Sequence, residues 1–410
     1  MAVIYSIGIY IYYLLIKISS LSNDKAKLWL RGRKSWKVRL SEDILKEQQN
    51  VWFHCASLGE FEQGRPLIES YKNKYPERKI ILTFFSPSGY EVRKNYDGAD
   101  YIYYLPLDTK KNAKTFVDLI KPVEVFFVKY EYWNFYFKEL KKRDIPLYMV
   151  SAIFRQKQMF FKRYGGWYRN ILKCVKYFFV QDSGSYELLK SIGFTNMSVT
   201  GDTRFDRVYQ IAGNASDNDI VGAFVKDSPF TVVLGSSWEK DELLVKSMIK
   251  NNLYNHVKFI VAPHHVDRKN VLRIKQLFGE IDTILYSDSD LESITKYRFL
   301  VVDCIGLLSS LYKYGNIAYI GGGFGVGIHN ILEAATFGLP VVFGPNHNRF
   351  KEANDLKTLN GAFGISNVEE LNAVMSKFVE NEKYLEQTSD IARKYILEKL
   401  GAVSAIINTI

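Results

Sequence analysis

At 410 residues the chain has room for two domains of ordinary size. With 47% hydrophobic and 24% charged residues, and no repeat or low-complexity tract, wholesale disorder is excluded. A net charge of +11 with 15% aromatic residues calls for an acidic partner: nucleic acid, anionic lipid or a phosphorylated substrate. The three cysteines (Cys55, Cys174, Cys304) form no CxxC pair, so neither a disulfide framework nor a zinc site is suggested, and a reducing cytoplasm fits.

The first element is an uncharged run from Ala2 to Ile16, rich in Ile, Tyr and Leu and extended by Lys17 and Ile18. It reads as a cleaved signal peptide, a membrane-spanning anchor or a helix lying in one leaflet, with a buried helix of the first domain as the plain alternative. No basic residue precedes the run and no Ala-x-Ala-like site follows it, which argues against a signal peptide. It is slightly short of the ~20 residues that span a bilayer comfortably. Lys25, Lys27, Arg31, Arg33, Lys34, Lys37 and Arg39 come next, interleaved with Trp29 and Trp36. Such a flank holds the following chain on the cytoplasmic side and binds anionic headgroups. A membrane anchor over 1–20, spanning or half-buried, is therefore expected, with the body at the cytoplasmic face of the inner membrane.

Past residue 50 short apolar runs alternate with longer amphipathic ones, the pattern of a doubly wound α/β protein. Strands are expected at Val51–Cys55, Lys79–Phe84, Tyr101–Tyr104, Val123–Val128, Leu147–Val150, Tyr177–Val180 and Ser198–Thr200. A second set is expected at Phe230–Leu234, Lys258–Val261, Thr283–Tyr286, Phe299–Val302, Ile317–Ile320 and Val341–Phe343. The polar stretch from Ala212 to Ala223 suits a linker. Two Rossmann-like parallel-sheet domains, 21–210 and 211–380, would face one cleft, and helices in 381–410 would cross back to the first.

Ligands of open α/β sheets bind beyond the carboxyl ends of the strands. That rule selects Ser57-Leu58-Gly59-Glu60 after the first strand, where Glu60 suits a general base or merely complements a helix dipole. Glu131, flanked by Tyr132 and Trp133, follows the fourth strand; a sugar site and a salt bridge with Lys129 or an arginine are both open. Arg204 in Gly201-Asp202-Thr203-Arg204-Phe205-Asp206 can grip a phosphate, or pair with Asp202 or Asp206. In the second half Ser236 and Ser237 suit phosphate contact at a helix start. Pro263-His264-His265 invites a metal, but neighbours in a strand point to opposite faces and no further ligand cluster has the right spacing, so no metal is expected.

The densest signal is Gly321-Gly322-Gly323-Phe324-Gly325-Val326-Gly327, between the strand Ile317–Ile320 and a helix-like run from Asn330 to Thr336. Such a turn brings bare backbone N–H groups to an anion, unless the glycines serve packing alone. Asn330 and Glu333, three apart, can face one ligand.

Together, Ser57–Glu60, Glu131–Trp133, Gly201–Asp206, Gly235-Ser236-Ser237-Trp238-Glu239, His329-Asn330-Ile331-Leu332-Glu333 and Phe343-Gly344-Pro345 resemble the Kdo transferases. That family moves 3-deoxy-D-manno-octulosonic acid (Kdo) from its CMP ester to lipid A precursor. The resemblance covers almost the whole chain and implies an inverting GT-B glycosyltransferase with the acceptor domain first. Carried onto matching positions, it makes Glu60 the general base, with Ser57, Gly59 and Trp133 on the acceptor side. Glu131 and Arg204 become transition-state stabilisers. Ser236, Ser237, Pro263, His264, Ile305, Gly306, Leu307, Gly322, Gly323, His329, Asn330, Ile331, Leu332 and Glu333 fall on the donor side. The implied partners are CMP-Kdo, the lipid A precursor (lipid IV-A) and anionic inner-membrane lipids, with no cofactor, no metal and no nucleic acid. The family usually has arginine where His264 stands and commonly glutamate where Leu307 stands, which puts fine donor contacts in doubt. A different GT-B enzyme using a UDP-sugar, and a catalytically idle tethered nucleotide-binding protein, are the alternatives.

Overall fold

The computed structural model of the chain describes residues 1–44, 48–250, 254–279 and 282–410. Among these, two sheets of seven parallel strands form, each the core of one compact unit. Unit 1 comprises Met1–Arg207 with Leu400–Ile410, and unit 2 comprises Val208–Lys399.

Unit 1 holds β1 (Asn50–Cys55), β2 (Lys79–Phe84), β3 (Tyr101–Tyr104), β4 (Pro122–Val128), β5 (Leu147–Ala152), β6 (Tyr177–Val180) and β7 (Met197–Val199), in the order β3-β2-β1-β4-β5-β6-β7. Alternate residues of β1 go to opposite faces, and both faces are buried. Val51, Phe53 and Cys55 pack with Phe61, Leu67 and Tyr71 of the helix Leu58–Lys74. Trp52 packs on the other face with Phe116, Phe127 and Tyr136. A parallel strand covered by helices on both sides must be apolar throughout, and this is why these runs are legible as strands.

The terminal helix Ala402–Thr409 joins unit 1, burying Val403 and Ile406 in the same cluster as the helix Leu58–Lys74. The helix before it, Glu382–Leu397, belongs to unit 2, so the chain changes unit at Leu400 and not at 381. Asp206 anchors the return: its carboxylate accepts the N–H groups of Gly401 at 2.8 Å and Val403 at 3.2 Å.

The run Ala2–Ser19 is one helix of unit 1, long and apolar enough to cross a membrane. Its basic flank is not uniformly outward. Arg33 turns in and donates to the carbonyls of Leu105, Trp29 and Phe85, with its guanidinium 3.7 Å over the Trp29 ring. Enclosure lowers its pKa to about 9. Arg33 is thereby turned to the interior and does not add to the exposed cations of this flank. Lys25, Arg31 and Lys34 remain exposed.

Unit 2 holds β8 (Phe230–Ser237), β9 (Val257–Pro263), β10 (Thr283–Leu285), β11 (Phe299–Val301), β12 (Ile317–Ile320), β13 (Val341–Phe343) and β14 (Ala362–Gly364), in the order β10-β11-β9-β8-β12-β13-β14. β14 has no counterpart among the expected strands. It is an edge strand of three residues, Ala-Phe-Gly, and too short to show a period.

Replacing Asp206 by Ala removes the acceptor for two backbone donors at the start of the terminal helix. A loss of about 1–2 kcal/mol is expected, read as a lower Tm and as faster amide exchange confined first to Ala402–Thr409.

Candidate functional site

In unit 1 the strand order reverses between β1 and β4. Helices on either side of such a reversal lie on opposite faces, so the two strand-end loops splay and leave a crevice. Glu60 and Glu131 stand on those two loops. Glu60 is in the first turn of the helix Leu58–Lys74, half-buried, and accepts a short hydrogen bond from the Ser57 hydroxyl. Gly59 is exposed, and a methyl group added there would meet only Ser57 Oγ at 3.8 Å.

Glu131 is 21% exposed, with its carboxylate 3.6 Å from His54 Nε2. His54 is fully buried on β1, and its other ring nitrogen lies 2.8 Å from the Thr83 hydroxyl, which also accepts the Trp52 indole N–H at 2.7 Å. His54 Nε2 has no hydrogen-bond partner among the described residues, so the imidazole edge points at Glu131 without another tie. Sequence reading passed over His54, because a histidine in an apolar strand reads as core. Trp133 packs on Phe85 with ring centroids 4.9 Å apart. Its indole N–H is buried with no partner among the described residues.

Of the options open for Arg204, pairing with Asp202 is present: Nε and Nη2 both lie 2.9 Å from Oδ2. Gln63 donates to the same carboxylate at 3.1 and 3.3 Å, and Asp202 is buried. The Arg204 side chain is 34% exposed, so it is oriented by Asp202 and still reachable by solvent.

In unit 2 the order reverses between β8 and β12. The glycine-rich turn follows β12, yet its N–H groups are turned inward. Gly321 donates to Gly235, Gly322 to Asp241 Oδ2 at 2.9 Å, and both Gly325 and Gly327 to the Gly322 carbonyl. A side chain at Gly321 would sit 2.3 Å from the Ser236 carbonyl, and Gly322 has φ of +90°. The expectation of bare N–H groups facing an anion is therefore corrected at these four positions. The glycines are needed because two backbones cross there. Gly323 likewise abuts Gly344, where an added Cβ would come within 2.5 Å of backbone nitrogen.

Asp241 organises this crossing. It is 1% exposed and accepts from Gly322 N, Trp238 N at 3.0 Å and the Tyr319 hydroxyl at 3.0 Å. Burial raises its carboxyl above the ordinary range, while its three donors oppose that rise. Nothing local in Glu-Lys-Asp-Glu distinguishes Asp241 from its acidic neighbours; its long-range partner Gly322 does.

Ser236 is half-buried with φ of 50°, a left-handed conformation that costs a non-glycine residue ~1 kcal/mol or more. The Ser237 hydroxyl is buried and donates to Glu242 at 2.8 Å, so it serves the interior. Pro263 is buried, whereas His264 is exposed. His264 joins an aromatic stack, while its neighbour His265 stands edge-on to it. Trp238 lies 4.6 Å from His264, and His264 lies 4.5 Å from His329, all near parallel. The Trp238 indole N–H donates to His329 Nε2 at 2.9 Å. Among the described residues, no group of three His, Cys, Asp or Glu side chains is placed to hold a metal ion.

Ile305 and Gly306 stand out on the exposed loop after β11, with Leu307 half-buried beside them. The helix after the glycine-rich turn is short, Leu332–Thr336, and Asn330 precedes it. Ile331 and Leu332 are buried, while Asn330 faces outward and Glu333 is half-buried. Asn330 Nδ2 donates to Glu333 at 2.9 Å, and Ser309 donates to its other oxygen at 2.7 Å. These bonds hold a carboxylate and an amide carbonyl side by side at the strand reversal.

Two doubly wound parallel-sheet units in series define a protein of the GT-B fold. The UDP-GlcNAc 2-epimerase of Neisseria meningitidis shares it, with a TM-score of 0.62 at 14% identity over 88% of this chain and 99% of that one. Residues 34–207 match the family described as 3-Deoxy-D-manno-octulosonic-acid transferase (kdotransferase). The chain is 26% identical over 379 residues to the 3-deoxy-D-manno-octulosonic acid transferase of Chlamydia trachomatis serovar D, covering 87% of this chain and 85% of the relative. It is 27% identical over 358 residues to that of Aquifex aeolicus, covering 85% and 92%. Along most of its length the chain is therefore similar to the Kdo transferases.

Asp241→Ala would leave three buried or half-buried donors without an acceptor, at about 1–3 kcal/mol each. A cooperative loss of unit 2 structure at lower temperature is expected by calorimetry, with Asp241→Asn milder. Separately, burial and the neighbouring His264 hold His329 down to about 4 against an ordinary 6.5. Between those values the unfolded chain binds a proton that the folded chain does not. Stability should therefore be full above pH ~6.5 and fall as pH drops toward ~4. Thermal melts across that window should show the slope, and His329→Gln should flatten it.

Proposed function

We propose that this chain is an inverting glycosyltransferase that moves Kdo from CMP-Kdo to a glucosamine hydroxyl of a lipid A precursor, at the cytoplasmic face of the inner membrane. The observation that carries this reading is the pairing of the likeness to the Kdo transferases with two carboxylates, Glu60 and Glu131, on the two loops that flank the strand reversal of unit 1.

In this reading Glu60 takes the proton from the attacking hydroxyl, with Ser57 orienting the carboxylate. The hydroxyl oxygen bonds to the anomeric carbon from the face opposite the phosphate, and the C–O bond to CMP breaks with its electron pair leaving on phosphate. Positive charge grows on the sugar and negative charge on the phosphate. A carboxylate such as Glu131 helps the first, and a cation such as Arg204, oriented by Asp202, helps the second. His54 positions Glu131 from behind and limits its rotation. Unit 2 supplies nucleotide contacts from Asn330–Glu333, the Ile305–Leu307 loop and His264. CMP leaves as a stable phosphate monoester, so fixed cations and backbone dipoles suffice for the leaving group, and no metal step is invoked. The positive charge of the chain suits an anionic lipid acceptor.

Freshly generated CMP-Kdo and tetra-acylated lipid A precursor test this directly, with product mass as the readout. Addition of one or more Kdo units is expected, whereas transfer from a UDP-sugar alone would overturn it. Glu60→Gln should lower turnover by about 10²–10⁴-fold while CMP affinity stays within about twofold. Turnover like that of the wild type in this variant would remove Glu60 from the role of base.

A further inference from the structure

The placement of the helix Ala2–Ser19 carries more than an anchor. Tyr5 donates to Asp108 Oδ2 at 2.5 Å, and its ring meets Phe135 and Trp167 at 5.7 Å each. Asp108 is 1% exposed and also accepts the N–H groups of Phe135 and Tyr136 at 3.0–3.1 Å, capping the helix Asn134–Lys142. Ile9 is buried, and Tyr12 packs on Trp29 and Phe85 at 6.1 Å each. Tyr5, Ile9, Tyr12 and the half-buried Ile16 recur at helical spacing, so one stripe lies along unit 1 for the length of the helix.

The other face is bare and apolar. Ile4, Ile7, Ile11, Leu14 and Ile18 are each more than half exposed and form a second row at helical spacing. Cations follow directly: Lys17, Lys25, Lys27, Arg31 and Lys34. Between helix and body lies a cleft of about 720 Å³, walled by Tyr10, Tyr13 and Trp29 and edged by Lys17, Arg31 and Lys34.

A helix of 18 residues is about 27 Å long. To span a bilayer it must carry Tyr5 to the far headgroup layer, with hydrocarbon on every side. Tyr5 and Tyr12 are instead both packed on the same globular unit, so one side of the helix is closed to lipid along its length and only the opposite face can meet it. Its inner stripe also borders the candidate chemistry. Trp133, two residues from Glu131, packs on Phe85, which stacks against Tyr12.

We infer that Ala2–Ser19 lies in the plane of one anionic leaflet. Its Ile4–Ile18 row enters the acyl region and its tyrosine stripe forms a wall of the acceptor approach to Glu131, so that a lipid-borne hydroxyl reaches the carboxylate without leaving the membrane. The in-plane placement stands on geometry alone; the acceptor wall rests on the transferase reading.

Three measurements on the full chain test it. An epitope and protease site fused ahead of Met1 should be fully cleaved by added protease on sealed vesicles of phosphatidylethanolamine with phosphatidylglycerol. Protection until detergent is added means a spanning helix and overturns the placement. Flotation with those vesicles should exceed flotation with phosphatidylcholine alone and fall at least about tenfold in Ile7→Glu/Ile11→Glu. These are exposed positions, so folding and CMP binding should persist; unchanged flotation overturns the leaflet contact. In detergent micelles, where tethering no longer matters, Tyr5→Ala should lower kcat/KM for lipid acceptor at least about tenfold with CMP affinity unchanged. No effect there overturns the wall. Absence of transfer by the wild type would overturn the transferase reading, and the acceptor wall with it, while the first two results still decide the placement.

Discussion

Each sheet reverses its strand order once, and that reversal is the constraint on which the rest depends. Parallel strands covered by helices on both faces have no free surface except at their ends. Right-handed crossovers then send the helices after β1 and β4, and those after β8 and β12, to opposite faces. Only at those two places do neighbouring loops part. The polar side chains singled out for chemistry in unit 1, Glu60 and Glu131, flank one reversal. Asn330 and Glu333 stand at the other, beside the stack of Trp238, His264 and His329.

What surrounds each reversal differs in kind. In unit 1 the polar groups are held by short-range partners and by buried groups on adjacent strands: Ser57 on Glu60, His54 behind Glu131, Asp202 on Arg204. In unit 2 a single buried carboxylate, Asp241, ties the start of one helix, the β12 tyrosine and the glycine-rich turn together. A buried acid with three donors is costly to disturb, because removing it strands every donor at once. The glycines of that turn act through contact with neighbouring backbone. They let the Gly321–Gly323 segment cross the ends of β8 and β13 at distances no side chain permits.

Much of the fold was legible in sequence for a plain reason. A strand buried on both faces must be apolar throughout, so the expected runs coincide with observed strands to within three residues at either end, β14 excepted. Loop composition also selected Glu60, Glu131, Asn330 and Glu333, because strand-end position follows from strand position. The limits were equally physical. His54 reads as an ordinary core histidine until Glu131 is seen 3.6 Å away. Ser237 reads as a phosphate contact until its hydroxyl is found on Glu242. Arg33 reads as one more membrane-facing cation until its guanidinium is found on three carbonyls.

By itself the sequence determined which segments are strands and helices, that the sheets are parallel, and that an apolar helix with a basic flank leads the chain. Those properties are written in local periodicity, which needs no knowledge of distant residues. Tertiary structure alone decided which polar groups are spoken for and which face of the first helix is bare. Whether a donor or carboxylate is free depends on partners far away in the chain, as Gly322 is from Asp241 and Tyr5 is from Asp108. Such pairs leave no mark in a local window, because each residue alone is compatible with several partners and only packing selects one.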